Sequence, residues 1–270
     1  MAGNDPMVPA TDANLTSQLA WAGTDPTPEQ PPPEQPTGIG PQSSWTDIRD
    51  ALNNRSFDYN EDSKSLQLIG DNNVGFRYLG AGSNKIAMHI TGTSWVLLFG
   101  NPARNIARSN IDIAGEINTL RRLSDAGVPV PGPFDSLGAM DPLFRINLTV
   151  ADQPICAFLQ IYMPATAGRW AEMTKRGGME TFAATQIVPG GQVSVTTGDT
   201  LDCLNKIRAE MAANPWNDFQ VMYNRQNGKV VVFDPMEFVN DTHRIQVQAE
   251  KLTLIDRWLD DIIAAIENKK

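Results

Sequence analysis

Two acidic residues flank a predicted hairpin and carry the strongest chemical signal in this sequence. Asp218 precedes one strand-like run, Asp234 follows the next, and Asn-Gly at 227–228 suits the turn that joins the two runs. An antiparallel hairpin brings its outer ends together, so we expect both carboxylates to face one point beside Gln220. Carboxylate and amide oxygens suit Mg²⁺, and a second carboxylate can orient or deprotonate a hydroxyl group. The pattern predicts a site where one carboxylate, with Gln220, holds Mg²⁺ and the other acts on a hydroxyl, although aspartates that only cap a helix or turn give the same pattern.

A glycine-rich turn between two strand-like runs is the second candidate element. Gly80 and Gly82 let the backbone approach a ligand closely. The N–H groups of the turn, through Ser83 and Asn84, could cradle phosphate oxygens, and Lys85 adds a positive charge. The GK[ST] ending of a Walker loop and the full Rossmann fingerprint are both absent. A strand–turn–strand cover over a nucleotide remains the functional interpretation, and a plain hairpin remains the alternative.

The elements that must position these residues follow from hydrophobic periodicity and turn residues. Strands are predicted at 66–69, 76–79, 86–90, 95–99, 143–150, 155–162, 221–223 and 230–233. Helices are predicted at 45–52, with Ser44 as the N-cap, and at 111–126, 199–213 and 246–267. Strands and helices segregate along the chain, which favours an α+β fold over a doubly wound sheet. Residues 169–195 carry no pattern that assigns them.

The first 44 residues differ in composition from the rest of the chain. They hold nine of the 19 prolines, no Lys or Arg and no apolar block. This composition predicts a disordered, proline-rich arm over 1–44 and no secretory signal peptide, with the folded part at 45–270.

Charge and composition exclude several classes of function. The net charge of −9 and the pI near 4.7 argue against nucleic acid binding through a general electrostatic field. No run of about 18 apolar residues exists, so no membrane span is expected. Cys156 and Cys203 form no CxxC pair, which argues against zinc. We therefore expect a soluble protein that is cytoplasmic or delivered by a specialised secretion system.

In the order and spacing of these segments, the chain resembles the protein-kinase-like superfamily, especially small divergent kinase domains of bacterial toxins and effectors. The resemblance covers roughly residues 75–240. Gly80–Ser83 is similar to the glycine-rich loop, Glu116 to the conserved glutamate of the first long helix, and 158–163 to the strand that enters the hinge. The triplet 216–218 stands in the position of HRD, and 234–236 in the position of DFG.

The sequence departs from the family pattern at several positions. The strand at 95–99 has no lysine, so Lys85 is the substitute for the phosphate-binding lysine. Trp216 and Asn217 replace the histidine and arginine of the HRD triplet. Gln220 would take the place of the metal-binding asparagine.

The resemblance implies a bilobal fold. An N-terminal lobe at about 45–160 would hold an antiparallel sheet with one helix, and a C-terminal lobe at about 161–270 would be mostly helical. ATP and Mg²⁺ would be the cofactors. Lys85, Glu116 and Asp218 would be catalytic, with Lys85 paired to Glu116. Nucleotide-binding residues would be Gly80, Gly82, Ser83, Asn84 and Lys85, and metal ligands would be Gln220 and Asp234.

The implied function is an ATP- and Mg²⁺-dependent phosphotransferase acting on Ser, Thr or Tyr of a protein substrate, of the bacterial toxin or effector type. Two alternatives stay open at this point. One is a small-molecule kinase or nucleotidyl transferase. The other is a pseudokinase that binds nucleotide without chemistry, which the missing strand lysine favours.

Overall fold

A computed structural model of the chain describes residues 38–82, 84–132, 146–164, 169–175, 179–180, 195–236, 238 and 243–267. Its helices are α1 (Trp45–Leu52), α2 (Ile106–Asp125), α3 (Val195–Ala213) and α4 (Arg244–Glu267). Its strands are β1 (Ser56–Asn60), β2 (Ser65–Leu68), β3 (Phe76–Ala81), β4 (Lys85–Ile90), β5 (Trp95–Gly100), β6 (Ile146–Val150), β7 (Gln153–Ile161), β8 (Trp170–Glu172), β9 (Thr174–Lys175), β10 (Met179–Glu180), β11 (Gln220–Asn224) and β12 (Val230–Phe233). Most of the predicted arm at 1–44 lies outside the described residues.

A seven-stranded sheet in the order β2-β1-β6-β7-β5-β4-β3 dominates the first half of the chain. Its pairs are antiparallel except for β1 and β6, which run parallel. The sheet curls until its edge strands β2 and β3 approach each other, so it is a nearly closed, barrel-like sheet. Side chains that alternate along each strand fill its interior, among them Phe57, Met88 and Phe99.

The outer face of the same sheet packs against α2 and the C-terminal elements. Val96 and Leu98 of β5 join Ile117 and Leu120 of α2 in a second core, which continues into α3, β11, β12 and α4. A three-stranded sheet, β12-β11-β8, and the short pair β10-β9 lie in this part of the chain. Among the described helices, none is long and apolar enough to cross a membrane.

The predicted protein-kinase-like bilobal fold is wrong. The large sheet has seven strands, is mixed and nearly closes on itself, and two helices rather than one accompany it. The segment expected to be mostly helical contains five strands, β8 to β12, among its described residues. The protein is a sheet-rich α+β fold instead. The closed sheet was missed because the sequence gives no sign of β1. This strand is short and polar, and its partner β6 lies far along the chain, so no local periodicity reveals the pair.

The predicted N-cap of α1 and the predicted hairpin turn are confirmed, whereas the predicted start of α2 is wrong. Ser44 caps α1 through a capping box in which Asp47 reaches back to the Ser44 backbone N–H at 2.8 Å. The hairpin of β11 and β12 forms with Gly228 at φ +71° in its turn. Helix α2 begins at Ile106 rather than at 111, since Asn105 caps it by accepting from the Arg108 N–H at 3.0 Å.

Candidate functional site

Lys85 lies at the centre of the cluster of charged residues that the sequence singled out. Burial alternates along β4, so Ile86 and Met88 fill the barrel-like sheet while Lys85 faces outward towards α2. The Lys85 Nζ donates to Glu116 Oε2 and to Asp234 Oδ1, each at 2.5 Å. The cation therefore joins the large sheet, helix α2 and the end of the β11–β12 hairpin at one point.

Burial controls the ionisation of this cluster. Glu116 is only 4% exposed, and its Oε1 has no hydrogen-bond partner among the described residues. Desolvation raises the pKa of Glu116 to about 7, against the lowering effect of Lys85 and with a further rise from Asp234. Burial lowers the pKa of Lys85, but the carboxylates of Glu116 and Asp234 outweigh it, so the net shift is upward. Lys85 is therefore a firmly charged cation, while Glu116 changes charge near neutral pH.

The backbone at the two aspartates is strained. Asp218 and Asp234 both have φ of +51°, in the left-handed region that costs a side chain free energy. Beyond them the strands pair again, because the Asn217 N–H donates to the Met236 carbonyl at 2.7 Å and the Met236 N–H donates back at 3.2 Å. Both strands of the hairpin therefore leave the regular ladder between the pair Gln220–Phe233 and the pair Asn217–Met236. Each of the two irregular stretches contains one of the aspartates. Such strain concentrates at functional sites, where the surrounding structure holds it in place.

Gln220 and Asp234 lie in direct contact. The Gln220 Nε2 donates to Asp234 Oδ2 at 2.9 Å, and Lys85 occupies the other oxygen, Oδ1. A carboxylate and an amide are the right ligand types for Mg²⁺, which takes one or two protein ligands and completes its shell with phosphate and water. In this arrangement each Asp234 oxygen accepts one side-chain hydrogen bond, which leaves a second lone pair on each oxygen for a metal ion. Among the described residues, no group of three or more Asp, Glu, His or Cys is arranged to hold a metal ion.

A cavity of about 200 Å³ collects most of the predicted site residues. Its walls include Gly82, Asn84, Lys85, Glu116, Asp218, Gln220 and Asp234. Gly80 lies on β3 and does not line this cavity, and Ser83 lies outside the described residues. The sequence therefore identified the members of one cluster, apart from these two positions.

Asp112 is a cavity residue that the sequence analysis missed. It lies on α2 one turn before Glu116, accepts from the Asn84 Nδ2 at 2.5 Å and pairs with Arg108 at 3.0 Å. Its spacing of four residues from Glu116 on a predicted helix would have placed both on one face. Asp112 also fixes the glycine-rich turn, since its partner Asn84 follows that turn directly.

A second, more apolar cavity of about 460 Å³ adjoins the first and shares Lys85 and Asp234 with it. It lies between the two sheets. Its walls are Leu79, Ala87, Val96, Leu98, Gln160, Ile161, Tyr162, Met163 and Pro164 on one side, and Glu172, Met222 and Phe233 on the other. We call it the interlayer slot. No sequence motif pointed to it, because its walls come from seven separate segments.

The comparisons with known proteins found no match for this chain. No family model matches the chain, and neither the curated proteins nor the solved structures contain a match. The kinase-like resemblance therefore stays a prediction made from the sequence.

Proposed function

We propose that this chain is an ATP- and Mg²⁺-dependent phosphotransferase that acts on Ser, Thr or Tyr hydroxyl groups of a protein, as a bacterial toxin or delivered effector would. One observation carries the proposal. The Lys85 Nζ lies 2.5 Å from carboxylate oxygens of both Glu116 and Asp234, where an apolar slot meets a charged cavity. The proposal rests on these contacts and does not depend on the fold that the sequence suggested.

The charged cavity supplies the groups that phosphoryl transfer needs. Lys85 would bind phosphate oxygens, and Glu116 would hold its ammonium group in position. Asp234 and Gln220 would hold Mg²⁺, which would neutralise charge on the triphosphate. Asp218 lines the same cavity and would orient the acceptor hydroxyl.

The interlayer slot suits the base of the nucleotide. Apolar side chains of both sheets face it, including Leu79 and Ala87 from one sheet and Met222 from the other. A planar base between such walls is removed from water, which favours binding. Because the slot and the cavity share Lys85 and Asp234, a base in the slot would direct its phosphates towards both residues.

The glycine-rich turn supports a ligand that approaches the backbone. A Cβ atom at Gly80 would meet nothing within 4 Å, and one at Gly82 would meet only the Lys85 carbonyl oxygen at 3.9 Å. Neither glycine has a positive φ that would exclude other residues. The fold itself therefore requires glycine at neither position, and close approach of a ligand gives a reason for Gly82, which lines the charged cavity. The Gly82 N–H is already used, since it donates to the Lys85 carbonyl at 2.8 Å.

A nucleotide-binding module without transfer is the second candidate. Both oxygens of Asp234 accept hydrogen bonds from side chains, Lys85 on one and Gln220 on the other. If the positive charge of Lys85 beside Asp234 keeps Mg²⁺ away when nucleotide binds, the site binds nucleotide without chemistry. The two candidates differ in whether Mg²⁺ strengthens nucleotide binding.

The test combines binding and transfer. The purified chain is incubated with labelled ATP and Mg²⁺ and with a cell lysate as acceptor, beside Asp218→Asn and Asp234→Asn. Asp260→Asn, at an exposed position of α4, is the matched control. We expect transfer in the wild type and the control and a loss of at least about 100-fold in both site variants.

Three other outcomes are possible, and each bears on the phosphotransferase and on the nucleotide-binding module in a different way. ATP binding that is insensitive to Mg²⁺, with no transfer, would favour the binding module. Absence of ATP binding by calorimetry would overturn both candidates. Transfer that survives both site substitutions would show that the chemistry belongs elsewhere in the chain.

A further inference from the structure

Gln160 is a buried polar residue whose donor has no partner. It lies on β7 and is only 7% exposed. Its Nε2 is fully buried and makes no hydrogen bond to any described residue. A buried amide donor without an acceptor destabilises a folded protein, so such groups are rare and call for an explanation.

The position of Gln160 gives that explanation. Side chains alternate along β7, so Gln160 shares its face with Cys156 and Phe158, which belong to the core against α2. At the end of this face the core opens into the interlayer slot, and Gln160 forms part of the slot wall. Val96 and Leu98 in the slot wall offer no hydrogen-bond acceptor, and no hydrogen bond joins Nε2 to the carboxylates in that wall, Glu172 and Asp234. A ligand in the slot would supply an acceptor for this donor once the Gln160 amide turns towards it.

We infer that the Gln160 amide reads the edge of the base, with Nε2 donating to a ring nitrogen of adenine. This inference rests on the proposed function, because it requires a nucleotide in the slot. Glutamine pairs well with adenine because its amide matches a ring nitrogen acceptor and the neighbouring exocyclic amino donor. A base that presents only a donor at this point would leave Nε2 unpaired and would be rejected. Gln160 is thus the specificity-determining residue of the slot.

The decisive variant is Gln160→Met, which removes the amide and keeps a side chain of similar length. Two effects of opposite sign are expected. Without ligand, the variant should unfold about 2–4 °C higher than the wild type, because the unpaired buried donor is gone. Its affinity for ATP should nevertheless fall about 5- to 20-fold. A residue with a merely structural role would not combine a gain of stability with a loss of affinity.

Gln153→Met is the matched control. It makes the same substitution on the same strand, at an exposed position outside both cavities. ATP affinity and the unfolding midpoint should both stay at wild-type values.

Nucleotide analogues identify the atom that Gln160 contacts. The probes are ATP and two analogues in which ring nitrogen N1 or N7 is replaced by a C–H group. The wild type should bind one of the two about 5- to 20-fold more weakly than ATP. Gln160→Met should bind that analogue and ATP equally, because the interaction is already lost.

The results also separate failure of this inference from failure of the proposed function. If the wild type binds both analogues as tightly as ATP, or if Gln160→Met keeps wild-type affinity, the reading of the base by Gln160 is refuted while nucleotide binding stands. If the wild type binds none of the nucleotides, the proposed function and this inference fall together.

Discussion

The positive φ of Asp218 permits a direct test of strain at the site. We consider two substitutions at this position, Asp218→Gly and Asp218→Ala. Both remove the carboxylate, so they differ chiefly in how well each residue tolerates φ of +51°. Alanine in the left-handed region costs roughly 1–2 kcal/mol, whereas glycine adopts it without penalty but loses about 0.4–1 kcal/mol through its freer unfolded chain. The glycine variant should therefore be more stable than the alanine variant by roughly 1 kcal/mol.

The assay is thermal and denaturant unfolding of both variants without ligand. For a folded unit of this size, a difference of about 1 kcal/mol corresponds to about 2–4 °C in the unfolding midpoint. Lys64 provides the matched control, since it has φ of +54° in an exposed turn between β1 and β2. Lys64→Gly and Lys64→Ala should differ by the same amount as the pair at Asp218, while phosphoryl transfer is lost only in the Asp218 pair.

One result would refute the reasoning. If the two Asp218 variants unfold within about 0.3 kcal/mol of each other while the two Lys64 variants differ as expected, the backbone at Asp218 is not strained. The aspartate would then be an ordinary turn residue. If glycine is the more stable of the two and both lack activity, the chain tolerates a strained backbone at Asp218 because the carboxylate is needed there.

Three further predictions concern the ion pairs and the core. Lys85→Met removes a charge-assisted contact worth about 1.5–3 kcal/mol, so ATP affinity measured by calorimetry should fall about 10- to 100-fold, and an unchanged affinity would exclude Lys85 from phosphate binding. Glu116 has a pKa of about 7 in the folded chain and an ordinary pKa of 4.5 in the unfolded chain, so the unfolded chain loses the Glu116 proton first as the pH rises. The free energy of unfolding should therefore fall by about 3 kcal/mol as the pH rises from 4.5 to about 7. In Glu116→Gln this fall should disappear from the pH profile of denaturant unfolding, and an identical profile would contradict the shifted pKa. Trp216→Ala, at a fully buried core position, should destabilise the protein by about 3–5 kcal/mol in the same assay, and a loss below about 1 kcal/mol would contradict its place in the core.

The part of the fold that the sequence predicts is the part set by neighbours along the chain. Ser44 and Asp47 encode the start of α1 through a capping box, and Asn-Gly at 227–228 encodes the hairpin. The apolar stripe of α2, with Ile117 and Leu120, follows from the helical period. In each case the decisive residues lie within a few positions of one another, so local chemistry is sufficient.

The closure of the large sheet could not be predicted in this way. Strand β1 shows only a partly buried pattern in which Phe57 is its one fully buried side chain. Its parallel partner β6 lies far along the chain, and the pair Phe57 and Val150 sets the register. Only the packed interior of the sheet specifies that pairing. The same limit explains why the strands β8 to β10 went unassigned, since each has only two or three residues.

The clustering of the candidate residues was predictable even though the fold was not, because it depends on a different set of facts. The phase of β4 turns Lys85 outward, the phase of α2 turns Glu116 inward, and the register of one hairpin brings Asp234 to its end. Each fact is local, and two long-range contacts unite them: α2 packs on the outer face of the sheet, and the β11–β12 hairpin packs into the same core. The predicted bilobal fold failed on the number of strands in the sheet and on the closure of the sheet. Neither of these affects the facts that bring Lys85, Glu116 and Asp234 together.

The same separation explains why Gln160, like Asp112, was missed in the sequence. Gln160 becomes informative only when the alternation of β7 is combined with the end of the core against α2, where a buried face opens into the interlayer slot. A glutamine at that position reads as an ordinary polar residue until its neighbours are known to be buried. Its unpaired donor can be seen only in three dimensions, because an unsatisfied hydrogen bond is a property of surroundings rather than of sequence. The charged residues of the cluster, apart from Asp112, were therefore found from the sequence, and the residue proposed to read the base was found from the packing.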